Sequence, residues 1–187
     1  MLERGLGVTL VVADRACRGL EVASRAGVEA LLVSRLDFGG FSQDFAREDY
    51  TSALTRALES RGIDLIAMAG FGTILTATLH ESFPGRVLNT HPSLLPAFQG
   101  WHAVPQALEA GVAETGCTVH VATEALDEGP ILAQRRVAIL AGDDEARLHE
   151  RIKTVERDLY PLVVGRVMAS MAEGHEPRDL VGTIEES

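Results

Sequence analysis

The chain has 187 residues, of which 46% are hydrophobic, and a formal net charge of -10. This length and apolar content can bury one sizeable core, and we expect a single domain over residues 1–187. The acidic balance, without a run of Lys or Arg, argues against a nucleic-acid partner. Since no apolar stretch reaches the roughly 20 residues of a membrane span and no signal peptide opens the chain, we expect a soluble, cytoplasmic protein without a membrane partner.

The first half of the chain alternates between strand and helix patterns. Short apolar runs predict strands at residues 8–12, 28–33 and 64–69. Apolar positions at helical spacing, closed by Gly27 and Gly62, predict helices at residues 16–26 and 43–61. The intervening residues 34–42 are predicted to be a surface loop, because their glycines lack the spacing of a phosphate-binding loop. Strand, helix and strand in this order favour a right-handed crossover and a parallel sheet.

The second half begins with a Gly-rich turn at residues 70–75 and a short helix that ends at His80. Further strands are predicted at residues 85–88, 115–123 and 131–139, and further helices at 104–110 and 142–172. Strict alternation in 115–123 is typical of a half-buried strand. The fold class is therefore α/β, a mostly parallel, Rossmann-like sheet flanked by helices, with the ligand site at the carboxyl ends of the strands.

Asn89 and His91 stand at the end of one predicted strand. Side chains two apart on a strand point the same way, so this carboxamide and imidazole should converge. Together they can polarise a carbonyl and move a proton, which suits acyl transfer. The alternative is that Asn89 caps a turn and His91 is a core histidine. For His120 two alternatives also stay open, a residue of the pocket wall or a core histidine.

Three segments, residues 87–100, 114–120 and 126–132, together resemble the folate-dependent formyltransferases, and the similarity extends from about Val8 to Val167. The resemblance implies transfer of a formyl group from 10-formyltetrahydrofolate to the amine of glycinamide ribonucleotide in purine synthesis. These two small molecules are the expected partners, and the protein is expected to be a monomer or homodimer. It implies no metal, and the distant Cys17 and Cys117 offer no zinc-site spacing.

The resemblance also implies roles for individual residues. Asn89 and His91 would stabilise the oxyanion, while Asp127 would hold the imidazole. The residues implied to bind the folate are Arg47, Gly72, Thr73, Ile74, Leu75, Asn89, Thr123, Glu124, Ala125, Leu126 and Asp127. Those implied to bind the ribonucleotide are Lys153, Thr154, Val155 and Glu156. Family members often have Met-Arg at the positions of Gly72 and Thr73. The replacement of these two residues in this chain removes a side-chain contact with the folate.

A second departure concerns the amino terminus. Family members begin with a further strand, a Gly-rich loop and a helix that bind the substrate phosphate, and Met1 corresponds to the end of that helix. We therefore expect an N-terminally truncated fold that lacks a strand near the middle of its sheet. Two explanations stay open: the start codon lies upstream, or the protein is a degenerate, folate-binding relative. Other users of the same formyl donor, a methionyl-tRNA formyltransferase or a deformylase, would need additional domains.

Overall fold

The computed structural model describes residues 1–182, which form two compact units. The first unit comprises Met1–Asp64 and Gly70–Phe83, and the second comprises Leu65–Ala69 and the chain from Pro84 onward. Each unit contains its own sheet. The assignment of one domain to the whole chain stays a prediction. Within residues 1–182, no helix combines the length and the apolar character that crossing a membrane requires.

The first unit is built on a parallel strand pair joined by a helix. Its elements are β1 (Leu10–Ala13), α1 (Arg18–Arg25), β2 (Glu29–Leu32), α2 (Arg47–Glu59) and α3 (Ala77–Ser82). In β1 and β2, Leu10 pairs with Glu29 and Ala13 with Leu32, so the predicted parallel arrangement of the two strands is confirmed. The prediction of a loop over residues 34–42 is wrong in part. Residues Arg35–Phe38 form a 3-10 helix, because the Ser34 hydroxyl accepts a hydrogen bond from the Leu36 amide and caps it.

Helix α2 supplies the core of this unit. Tyr50, Leu54 and Leu58 are buried at a spacing of four residues, which places them on one face of the helix. The rings of Phe38 and Phe45 each lie 5.6 Å from the Tyr50 ring, so the chain before α2 is held against it.

The second unit contains a four-stranded sheet in the order β3-β4-β5-β6. Its elements are β3 (Ile66–Ala67), β4 (Val87–His91), α4 (Ala103–Glu109), β5 (Glu114–Val121), β6 (Ile131–Ala138) and α5 (Glu145–Ala172). The β3 and β4 strands are parallel, whereas β5 runs antiparallel to both of its neighbours, β4 and β6. The α/β class is confirmed, with an antiparallel end to the sheet that the short predicted turn between β5 and β6 permits.

The prediction that β5 is half-buried is wrong, since every residue after Glu114 is buried. Both faces of the strand are covered. Helix α5 packs on one face. On the other face the chain that follows β4 crosses the strand, and the Thr118 hydroxyl donates to the Ser93 carbonyl and accepts from the Leu95 amide. The alternating residues of β5 therefore face two different covering segments, one apolar and one partly polar.

Candidate active site

The last residues of β4 carry two polar side chains to one face of the sheet. Asn89 pairs with His120 of β5, and His91 pairs with Thr118. Cross-strand partners project to the same side, so His120 joins Asn89 and His91 on this face. The predicted convergence of Asn89 and His91 is therefore present. Of the two alternatives for His120, a pocket wall or a core histidine, the structure shows a buried histidine within the same cluster.

Asp127 lies between the two histidines. Its Oδ2 is 3.3 Å from His91 Nδ1, and its Oδ1 is 3.7 Å from His120 Nε2. His91, His120 and Asp127 are only 5%, 1% and 7% exposed. Because water is largely excluded from this cluster, the charge on the carboxylate acts on the imidazole rings at short range and with weak screening.

Each ring nitrogen of His91 faces an oxygen acceptor. Nε2 lies 2.8 Å from the carbonyl oxygen of Phe98. Since a carbonyl only accepts hydrogen bonds, Nε2 carries the proton in this contact. The other nitrogen, Nδ1, faces the Asp127 carboxylate at 3.3 Å. The surroundings of His91 therefore suit a proton donor.

His120 has a different environment. Its Nδ1 donates to the Val121 carbonyl at 3.2 Å, so Nε2 is free to accept from the Asn89 amide at 3.4 Å. Burial lowers the pKa of His120, although the carboxylate of Asp127 opposes this shift. His120 is thus a neutral residue that orients Asn89, and the two histidines are suited to different tasks.

The turn before β6 places Asp127 in an unusual backbone conformation. Its φ is 57°, in the left-handed region. The Gly100 amide donates to Oδ2 at 2.9 Å, and the Gln99 side chain donates to the Asp127 carbonyl at 3.2 Å. Gly129 completes the turn, because a Cβ at that position would overlap the Val121 carbonyl oxygen. Sequence reasoning did not assign the roles of Gln99 and Gly100, since no local pattern links them to a turn so distant in the chain.

The predicted folate-binding residues are divided between the two units. In the second unit, the four residues before Asp127 are exposed, and the Thr123 hydroxyl donates to the Ala125 carbonyl. In the first unit, Arg47 is exposed at the start of α2. Gly72 and Ile74 are half-buried, whereas Thr73 and Leu75 are buried. Their joint role in binding a folate stays a prediction.

Thr73 has a defined structural role within the first unit. Its hydroxyl accepts from Arg35 Nη1 at 3.1 Å and donates to Asp14 Oδ2 at 3.0 Å. The pKa of Asp14 is lowered, chiefly by its hydrogen bond with Arg15 and despite burial. The side chain at position 73 therefore fixes the turn, while the backbone of the turn remains the part predicted to meet a ligand.

The predicted substrate-binding residues Lys153, Thr154, Val155 and Glu156 lie on α5. Glu156 is half-buried. Burial raises the pKa of this carboxyl. Its charge also acts on Cys117, which lies on the face of β5 opposite to Thr118. The structure therefore assembles Asn89, His91 and Asp127 but does not bring Glu156 into contact with them.

The donor set of the cluster does not resemble a metal centre. Among the described residues, no group of three or more His, Cys, Asp or Glu side chains is arranged to hold a metal ion. The chemistry that the side chains themselves offer is hydrogen-bond donation and proton transfer by a buried imidazole next to a carboxylate, with a carboxamide on the same face of the sheet.

Comparison with known proteins agrees with this geometry. The sequence model of the formyl transferase family matches residues 3–164. The phosphoribosylglycinamide formyltransferase of Mycobacterium tuberculosis is 46% identical over 84% of this chain and 70% of its own length. The trifunctional purine biosynthetic protein adenosine-3 of Drosophila pseudoobscura is 42% identical over 89% of this chain, which spans only 12% of that protein.

A solved structure has the same fold. The phosphoribosylglycinamide formyltransferase of Streptococcus pneumoniae superimposes with a TM-score of 0.80 at 34% identity, over 89% of this chain and 90% of that one. The family match covers most of the sequence, and it includes β4, β5 and the turn that carries Asp127. The chain belongs to the formyl transferase family.

Proposed function

We propose that this protein transfers a formyl group from 10-formyltetrahydrofolate to the amine of glycinamide ribonucleotide, a step of purine synthesis. The observation that carries the proposal is the buried pair of His91 and Asp127 beside Asn89, in a chain of this family. The relatives named phosphoribosylglycinamide formyltransferase support the choice of acceptor. The protein acts in the cytoplasm, as a monomer or homodimer.

The reaction requires a hydrogen-bond donor for a developing negative charge. The amine attacks the formyl carbon, the carbonyl oxygen becomes an oxyanion, and the carbon–nitrogen bond to the folate then breaks. The departing folate nitrogen gains a proton, and the attacking amine loses one. His91 Nε2 presents its proton to a carbonyl oxygen in this structure, that of Phe98. The formyl oxygen takes the place of that carbonyl, and Asn89 provides a second donor.

Asp127 holds the imidazole that donates this proton. A preorganised carboxylate at 3.3 Å is already in place before the oxyanion forms, so no solvent needs to reorganise during the reaction. His120 stays neutral and keeps the Asn89 carboxamide oriented. The two histidines therefore have different roles: His91 lies close to the carboxylate, whereas His120 is hydrogen-bonded to a backbone carbonyl and to the Asn89 carboxamide.

Residues other than Asn89, His91 and Asp127 also bind the substrates. The folate contacts Arg47, the backbone of residues 72–75 and the exposed residues 123–126. The amine end of glycinamide ribonucleotide contacts Glu156, with Lys153, Thr154 and Val155 on the same helix. The half-buried carboxylate of Glu156 supports this assignment, because burial raises the pKa of this carboxyl despite the charges of Lys153 and Arg157, and a bound cation would favour its ionised form.

The test is a formyl transfer assay with both substrates, on the wild-type protein, on His91→Ala and on a control, His175→Ala, at an exposed position. Wild type and control should transfer formyl to glycinamide ribonucleotide, and His91→Ala should lose about 10²- to 10³-fold in turnover while it stays folded. Folate binding without any transfer by the wild type would instead indicate a binding protein. Full turnover by a folded His91→Ala would remove His91 from the mechanism.

A further inference from the structure

Three consecutive loop residues contact both halves of the His91–Asp127 pair. The Phe98 carbonyl accepts from His91, the Gly100 amide donates to the Asp127 carboxylate, and the Gln99 side chain donates to the Asp127 backbone carbonyl. The first and last of these contacts use backbone groups that any residue supplies. Only the contact of Gln99 depends on the identity of a side chain.

We infer that Gln99 is a positioning residue, which holds the backbone of Asp127 so that its carboxylate stays aimed at His91. This inference rests on the proposed function, because it assigns to Gln99 a part in the same reaction. Gln99 itself touches neither the imidazole nor any atom that reacts. It acts through Asp127, the residue that its side-chain amide contacts.

The backbone of Asp127 explains why such a contact is needed. A non-glycine residue at a φ of 57° is held in a sparsely populated conformation, and it stays there only if its surroundings fix it. The Gly100 amide fixes the side chain and the Gln99 amide fixes the carbonyl. With both ends held, rotation about the backbone cannot move Oδ2 away from the imidazole.

The chemistry of Gln99 also favours this role. Gln99 is exposed, so water would hydrate its side-chain amide if that amide did not bond to Asp127. An exposed glutamine that orders its side chain loses rotamer entropy, and the bond to Asp127 offsets that loss. Phe98 is also in the left-handed region, with a φ of 56°.

The test compares Gln99→Ala with Gln106→Ala, a matched control at an exposed glutamine of α4. We expect Gln99→Ala to lower kcat about three- to tenfold, the effect of one neutral hydrogen bond, with KM for both substrates unchanged. The variant Gln99→Glu, which keeps the size but removes the donor, should behave like Gln99→Ala. The variant Gln99→Lys, which restores a donor, should recover most of the activity.

A second measurement does not depend on turnover. The nitrogen-15 shifts of the His91 ring, recorded without substrate at fixed pH, should change in Gln99→Ala and stay unchanged in Gln106→Ala. If the wild type fails to transfer formyl, the proposed function falls, and these shifts still decide whether Gln99 positions the pair. Unchanged ring shifts in a folded Gln99→Ala protein, or unchanged kcat in an active one, would overturn the inference.

Discussion

Replacement of Asp127 by asparagine separates the charge of this residue from its shape. Asparagine tolerates the left-handed conformation and can still accept the hydrogen bond of Gly100, so the turn should keep its geometry. At 3.3 Å and an effective dielectric constant of about 20, a carboxylate and an imidazolium attract each other by about 5 kcal/mol. Asparagine removes this attraction and leaves a neutral amide next to the ring that faces the oxyanion. We therefore expect turnover to fall by about 10²- to 10³-fold.

The assay is steady-state formyl transfer at a series of pH values, together with thermal unfolding. Asp64→Asn, at an exposed position, is the control for the same chemical change. Asp127→Asn should show a lower kcat, a similar KM for the folate and a changed dependence of rate on pH. If a folded Asp127→Asn protein keeps wild-type turnover and an unchanged pH profile, the carboxylate does not act on His91 during the reaction.

The remaining predictions concern the stability of buried charges. Burial raises the pKa of Glu156, so its ionised form destabilises the folded protein at neutral pH. Glu156→Gln should therefore unfold at a higher denaturant concentration at pH 7, and this gain in stability should fade as the pH falls through the carboxyl range. The same variant should transfer formyl more slowly. Burial lowers the pKa of His120, so below about pH 6.5 the unfolded chain binds more protons than the folded protein. The free energy of unfolding should therefore fall as the pH is lowered below that value, by at most about 1.4 kcal/mol per pH unit. The fall should be less steep in His120→Gln. Equal slopes for the two proteins would contradict the second prediction, and an unchanged or lower stability of Glu156→Gln the first.

Much of the fold could be predicted from sequence because its strands and helices have strong local patterns. Apolar runs bounded by glycine identified β1 and β2, and helical spacing identified α2 and α5. Burial was harder to predict. The alternation in β5 indicates which residues share a face, but it does not indicate that the chain after β4 folds back over the polar face. That cover depends on hydrogen bonds between residues about 25 positions apart, and no sequence period carries such information.

The site divides along the same line. The two-residue spacing of Asn89 and His91 predicted their convergence, and strand alternation placed His120 on the polar face. Asp127 was assigned by resemblance, and the structure shows it between the two histidines. The contacts of residues 98–100 could not be predicted, since two of them are made by backbone groups that are the same in every residue. An amino-acid sequence specifies side chains, whereas this loop acts largely through its main chain.

The turn before β6 has a physical logic that connects its sequence to the chemistry. Gly129 must lack a Cβ because the Val121 carbonyl lies directly against it, and this close approach brings the turn onto the end of β5. Since β5 also carries His120, the same approach delivers Asp127 to the histidines. The left-handed conformation of Asp127 then directs its side chain inward, at a cost in strain that the hydrogen bonds from Gln99 and Gly100 offset. A substitution in this turn should therefore affect His91 even where it touches neither substrate nor imidazole.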